Sequence, residues 1–506
     1  MTSTTQDRIV HEVPAEVTSY FASEQIGHVL DGVVVGSADG ATMPVIDPAT
    51  GEQVTVAAAG SAEDVDRAVR SARAAYEDGR WRDLAPAEKE RRLRKLGALA
   101  ADNAQLLADL DVVDGGVLRL YGAFVAQFGF DACDYYAGWP TKRRGTATAV
   151  PLDLHVTAVR EPVGVIALIM PWNAPSAVLA GIALALATGN SVVVKPAEQT
   201  PVSAVLLAKL CTEAGIPPGV VNVVQGTGEA VGAALVAHPG IDKVSFTGSV
   251  ETGRAVQVAA AARLTRVTLE LGGKSPFIVF DDADLEAAVP AAISSVWGGS
   301  GQVCTAGTRL LVQRSIHDEF VAGAVAMSSG LRVGSGFDPN AHLGPLVSQE
   351  QLDRVQRYVG IGQEEGAQLA LGGHRFGSTG FFHEPTIFTG VRNDMRIAQE
   401  EIFGPVMSII PFDDEADAYR IANDVEYGLS AGVWTSDVSR AQRASRALHV
   451  GTVWVNTYQQ VNPAVSYGGV KQSGYGRMLG EESLDAFTTV KSIWTKVPSI
   501  SEGHTA

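Results

Sequence analysis

Cysteine is almost missing from this 506-residue chain, which has three: Cys133, Cys211 and Cys304. An odd, sparse set without metal-like spacing excludes a disulfide framework and a cysteine zinc site, and fits a reducing, intracellular setting. Basic residues are also short, with 39 Lys and Arg against 56 Asp and Glu and a formal charge of −17. That balance argues against nucleic acid or an anionic membrane as a general partner. No long apolar run is uninterrupted. The most apolar stretch, residues 163–189, is broken by Pro171, Asn173 and Pro175, and neither half reaches the roughly 20 residues of a spanning helix. The opening MTSTTQDRIV lacks the basic start and apolar core of a signal peptide. The expectation is a soluble cytoplasmic protein without a resident metal.

What is present points to a packed globular chain. Hydrophobic residues make up 46% and charged residues 19%, enough apolar surface to build cores. The length suggests two or three domains. Residues 61–79 begin with Ser61 as N-cap and Asp64 three positions on, a capping-box pattern with Asp in place of Glu. Helical periodicity continues after Pro86 through AEKERRLRKLGALAADNAQLLADL. From residue 160 short apolar runs alternate with helices: VGVIALIM, SVVVKP, GVVNVVQG and IDKVSFTG read as strands. Between two of them lies a helix with Thr200 as N-cap, Pro201 at N1 and Gly215 closing it. Such alternation predicts a doubly wound, mostly parallel α/β sheet. A second alternating series predicts another α/β domain over about 271–475.

Several segments carry residue types suited to chemistry. Gly226, Gly228 and Gly232 stand between a strand and a helix, one position off the dinucleotide fingerprint; they suit either cofactor contact or a plain tight turn. At VSFTGSVETG a strand ends at Gly248 and a helix begins after Ser249. That helix end would suit a phosphate, unless Ser249 simply caps its own helix. Lys195 and Glu198 follow a strand's C-terminal end, where ligands gather in open α/β sheets; a solvated pair is the alternative. Glu270, with Gly272 and Gly273 just beyond Leu271 in LELGGKS, could act as a general base with a raised pKa, or could be salt-bridged. Asn173 sits between two prolines that aim its amide, as an oxyanion donor or as a turn residue. Cys304, in GGSGQVCTAGTR, has glycines around it that admit a substrate, and a thiolate is a strong nucleophile near neutral pH. A lone cysteine can equally be an inert small hydrophobe.

Taken together and in order, these segments resemble the NAD(P)-dependent aldehyde dehydrogenase superfamily. The likeness runs from PVIDPATGE at 44–52 through PWNAP, KPAEQTP, FTGS, ELGGKS, GQVCTAGTR, EEIFGPV, EYGLSAGVW and GTVWVN to GGVKQSGYGR at 468–477. It implies a Rossmann-like cofactor domain over 1–143 and 160–270, a catalytic domain over 271–475 and a small β oligomerisation element at 144–159 and 486–506. Cys304 becomes the nucleophile, Asn173 an oxyanion donor and Glu270 the base that activates water on a thioester. Lys195, Glu198, Trp172, Gly228, Gly248 and Ser249 become contacts to the cofactor, with Glu401 and Phe403 holding its nicotinamide end. Glu198 favours NAD over NADP, because a carboxylate repels a 2′-phosphate. The implied partners are a small-molecule aldehyde and further copies of the chain, as a dimer or tetramer.

Departures from the family pattern cluster near the substrate side. Gly299 and Gly298 replace the usual Asn and its neighbour, Gly181 and Leu184 stand where a Lys-x-x-Pro pattern is common, and Ala174 and Ser466 replace an aromatic and a proline. These losses of bulk predict a wider pocket for a branched, cyclic or aromatic aldehyde. Two other readings stay open: acyl transfer to coenzyme A, which the presence of Glu270 disfavours, and a binding or structural derivative with little turnover.

Overall fold

The computed structural model describes residue 9 and residues 11–497. The opening residues 1–8 and 10, and positions 498–506 of the C-terminal element, lie outside the described residues.

The apolar run at 163–170 forms the strand Val165–Ile169, buried along its whole length. It pairs in parallel with Ser191–Lys195 on one side and Lys243–Gly248 on the other. A strand hidden on both faces reads as continuous hydrophobicity rather than alternation, and helices cover the sheet above and below. Val221–Val223 and Arg266–Leu271 extend the parallel set. Antiparallel strands His28–Leu30 with Val33–Val35, and Gly474–Tyr475, close its two edges, giving eight strands. Between Leu271 and Pro276 the chain crosses to a second, seven-stranded sheet, parallel apart from the edge pair Gln368–Leu371 and Thr386–Thr389. Gly474–Tyr475, within the range read above as the second unit, thus belongs to the first sheet. A separate antiparallel sheet joins Thr146–Thr148, Leu154–Pro162 and Thr488–Lys496.

Local signals explain several helix starts. Ser61 caps Ala62–Glu77 in a box completed by the Asp64 side chain, as the sequence predicts. Two expectations need correction. The helix predicted after Pro86 is two, Pro86–Asp102 and Ala104–Gly115, separated at Asn103, whose side chain folds back onto the Leu99 carbonyl. An Asn that satisfies the last turn in this way competes with helix continuation. Thr200 does not cap Val202–Glu213, and Pro201 stands at the N-cap rather than N1. The carboxylate of Asp114, from a distant helix, accepts from the Val202 N–H at 3.2 Å instead. Gly215, with φ +86°, lies just past the helix end and turns the chain away.

Candidate functional site

The first sheet presents the C-terminal ends of its parallel strands to the crossover into the second sheet. Open α/β sheets bind ligands at such ends. A cavity of about 290 Å³ opens there. Trp172 and Asn173 reach it from the loop after Val165–Ile169, Gly248 and Ser249 from the end of Lys243–Gly248, and Glu270 from Arg266–Leu271. Cys304, Glu401 and Phe403 enter from the second sheet's side. Residues far apart in sequence are therefore neighbours.

The helix Leu285–Trp297 delivers the thiol loop. Its N-cap Asp284 accepts from the Glu286 N–H, and the chain leaves its C-terminus into Gly298–Gly301. Gly299, Ser300 and Gly301 all take left-handed conformations, with φ of 58°, 57° and 73°. Ser300 is held there by its hydroxyl, which donates to the Gly344 carbonyl at 3.0 Å. The buried Gln302 amide accepts from the Val347 N–H at 3.0 Å. Asn173 Nδ2 donates to the Gln302 carbonyl at 2.8 Å, which ties the two sides of the cavity together. A loop fixed at so many points presents a thiol rigidly. Gly301 admits no side chain, because a Cβ would collide with the Gly404 carbonyl. Gly301→Ala is expected to cost about 1–3 kcal/mol and to lower the thermal unfolding midpoint. Gly298→Ala should leave that midpoint unchanged, since the nearest atom to a Cβ there is Gln459 Oε1 at 4.0 Å.

Cys304 is half-buried, whereas Cys133 and Cys211 are fully buried. Burial pushes the Cys304 thiol up to about 11, and a hydrogen bond with Tyr467 opposes the shift. Glu270 is buried; among the described residues no side chain hydrogen-bonds its carboxylate oxygens, and the Gly469 N–H lies near enough to favour the charged form. Burial drives this carboxyl well above its ordinary range, against the pull of Arg477. An unpaired buried carboxyl is costly unless it keeps a proton or meets water. Such a group is poised to take a proton. Glu401 accepts from the Gly273 N–H at 3.0 Å, and burial raises its carboxyl to about 7. Gly272 makes room for it, since a Cβ there would overlap the Glu401 carboxylate.

The cavity's other wall suits a flat ring and a sugar. Trp172 and Phe403 meet edge to face, centroids 5.2 Å apart. Phe403 holds φ at 61°, a left-handed value that an aromatic residue adopts only under constraint. Gln351 Nε2 donates to the Phe403 carbonyl at 2.7 Å, and Arg354 donates to the Glu401 and Ile402 carbonyls. Lys195, Glu198 and Gly228 lie outside this cavity. Lys195 ends its strand, donating to the Pro196 carbonyl at 2.9 Å and to Glu198 at 3.2 Å. Its stem passes 3.6 Å from a Cβ built at Gly232, so the pair sits beside the Gly228–Gly232 turn. At that turn Gly226 (φ +138°), not Gly228, is the position that needs glycine. Ser249 caps its own helix, accepting from the Thr252 N–H at 3.1 Å, while also lining the cavity. The two roles coexist.

The sequence profile described as the aldehyde dehydrogenase family matches residues 35–493. Retinal dehydrogenase 2 of Homo sapiens is 44% identical over 466 residues, covering 91% of this chain and 90% of that protein. An aldehyde dehydrogenase of Aspergillus niger is 43% identical over 474 residues, covering 93% and 95%. Among solved structures, the NAD+ complex of an aldehyde dehydrogenase from Bacillus cereus superimposes with a TM-score of 0.94 at 41% identity, covering 96% and 99%. This chain belongs to the aldehyde dehydrogenase family.

As a member of that family the chain departs from the expected wide pocket at two of the small residues. Gly181 opens no space: a Cβ there would lie 2.7 Å from Leu168 Cδ2, so the sheet side chain has packed into the helix. Beside Gly299 a Cβ would meet Val303 at 3.0 Å and the Tyr121 ring at 3.4 Å. Only Gly298 of the three faces open room. Tyr467, Gln351 and Arg354 are absent from the sequence reading and belong to the cavity lining. Arg354 and Gln351 lie on the exposed-looking helix Gln349–Glu364 and carry no local motif. Tyr467 follows Ser466 in a segment that the family pattern does mark. No helix among the described residues is long and apolar enough to cross a membrane, and no His, Cys, Asp and Glu cluster there could hold a metal.

Proposed function

We propose that this protein oxidises an aldehyde to a carboxylic acid with NAD+, using Cys304 as nucleophile and Glu270 as the base that activates water. The observation that carries the reading is one cavity holding a half-buried thiol on a rigid loop and a buried carboxyl without a side-chain partner.

The residues fit the cofactor. The helix end at Ser249, the Trp172–Phe403 pair and Glu401 line one continuous wall, and Lys195 with Glu198 sits at a neighbouring strand end. In this reading the helix end takes phosphate, Glu198 takes the adenosine ribose and disfavours NADP, and Glu401 takes the second ribose. When bound, NAD+ supplies a hydride acceptor. The thiolate of Cys304 adds to the aldehyde carbon, and the developing oxyanion meets the Asn173 amide and the Cys304 N–H. Loss of hydride leaves a thioester on Cys304. Glu270 then removes a proton from water as the water attacks the thioester carbon, and the carbon–sulfur electron pair returns to sulfur. Glu270 favours this hydrolysis over transfer to coenzyme A.

The likeness to a retinal dehydrogenase supports an aldehyde bulkier than acetaldehyde, and Gly298, outside the cavity lining itself, leaves room on the thiol loop. The three-stranded sheet leaves Val490 and Trp494 exposed on one face of the strand Thr488–Lys496, a face suited to a second copy of the chain. A panel of aldehydes of increasing size, followed by NADH formation with NADP+ in parallel, tests the reading. Turnover with NAD+ and preference for bulky aldehydes is expected. Clear preference for acetaldehyde would remove the open-pocket argument, and binding of NAD+ without reduction would favour a non-enzymatic derivative.

A further inference from the structure

Tyr467 takes no part in the reaction as described, yet its hydroxyl lies 3.5 Å from the Cys304 Sγ. Among the described residues no other side chain is hydrogen-bonded to that sulfur, and the phenol has no other partner. Its position is fixed from both sides. The Tyr467 N–H donates to the Met478 carbonyl at 2.7 Å, the Met478 N–H returns a bond at 2.8 Å, and Gly468 follows with φ +155°. The ring lines the cavity.

The surroundings of the thiol explain why such a donor matters. The titratable groups facing it are carboxyls, Glu401 from one sheet's side and Glu270 from the other, and when ionised both oppose a negative sulfur. Two further tyrosines are near, Tyr121 from the helix Arg119–Ala137 and Tyr458. Tyr458 spends its proton on the Thr305 carbonyl at 2.9 Å. The Thr305 N–H also favours the thiolate. Among the described residues no cation faces the sulfur. Of these hydroxyls the Tyr467 O–H is the one within hydrogen-bond distance of the sulfur, and a hydrogen bond to an ionised atom is stronger than one between neutral groups.

We propose that the Tyr467 hydroxyl donates to the Cys304 thiolate, holding the nucleophile in its reactive form and receiving it again as leaving group. The thiol proton departs to water while the phenol keeps its own. On addition to the aldehyde the sulfur electron pair becomes a carbon–sulfur bond. When water displaces the thioester that pair returns to sulfur and meets the same O–H. This assignment rests on Cys304 being the nucleophile.

Alkylation of the full-length protein by iodoacetamide across pH, without aldehyde, reads the thiol directly. Cys133 and Cys211 are fully buried, and peptide mass confirms the site. Tyr467→Phe keeps the ring and should fold normally. Its alkylation profile is expected to move about one pH unit upward, with the rate at pH 7.5 falling about threefold to tenfold. The greater nucleophilicity of a less stabilised thiolate offsets part of the loss. An unchanged profile, or one moved downward, overturns the assignment. Failure of the underlying reading looks different: Cys304→Ala would then still oxidise aldehydes, whatever the alkylation result.

Discussion

Replacement of Cys304 by alanine is expected to lower aldehyde oxidation by on the order of 10⁴-fold or more, as loss of a covalent nucleophile does in other enzymes. The argument is structural as well as chemical. Cys304 is the cysteine that lines the cavity, and the other two are sealed in the core with thiols that burial raises far from reactivity. The loop's geometry depends on Ser300, Gln302 and Asn173 rather than on the sulfur. Alanine should therefore leave the fold and NAD+ binding in place. Steady-state NADH formation, with cofactor binding and a thermal melt on the same sample, checks all three. Retained turnover would remove Cys304 from the mechanism.

Glu270→Gln is expected to separate the two halves of the reaction. Thiohemiacetal formation and oxidation need the thiol, the oxyanion donors and the cofactor, but hydrolysis of the thioester needs a base. One equivalent of NADH should form rapidly, after which turnover falls by about 10²–10⁴-fold, the usual contribution of a positioned general base. Glutamine matches the shape of glutamate and cannot accept the proton. The pH dependence has a definite sign. Burial raises the Glu270 carboxyl well above 4.5, and only the ionised form is a base. Deacylation should therefore increase with pH through a range above that of an ordinary glutamate, and Glu270→Gln should abolish that limb. If added coenzyme A rather than water were the acceptor, the wild-type enzyme would need it for turnover.

Much of this site is legible in the sequence because its parts are local. Glu270 stands near a strand end and Cys304 in a loop with glycines at 298, 299 and 301, and a strand end in a parallel sheet faces the ligand. The alternation of buried strands and helices likewise dictates the first sheet. What is not legible depends on partners far along the chain. Tyr467 reaches Cys304 across 163 positions, and its N–H pairing with Met478 follows no periodicity. The Val202 helix takes its cap from Asp114, 88 positions away, so the nearby Thr200 misleads. Gly181 and Gly299 show the same limit from the other side. A glycine in the sequence suggests space, but Leu168 and Val303 occupy it. Close packing lets neighbours consume a lost side chain, and only coordinates reveal which neighbour does so.

The central claim is that Cys304 carries the acyl group between oxidation and hydrolysis. Intact mass and peptide mapping of Glu270→Gln, quenched in acid after a single addition of NAD+ and a bulky aldehyde, tests it. The account predicts one acyl group per chain, located on Cys304, in step with one equivalent of NADH. NADH formed without an adduct, or an adduct on another residue, would contradict it.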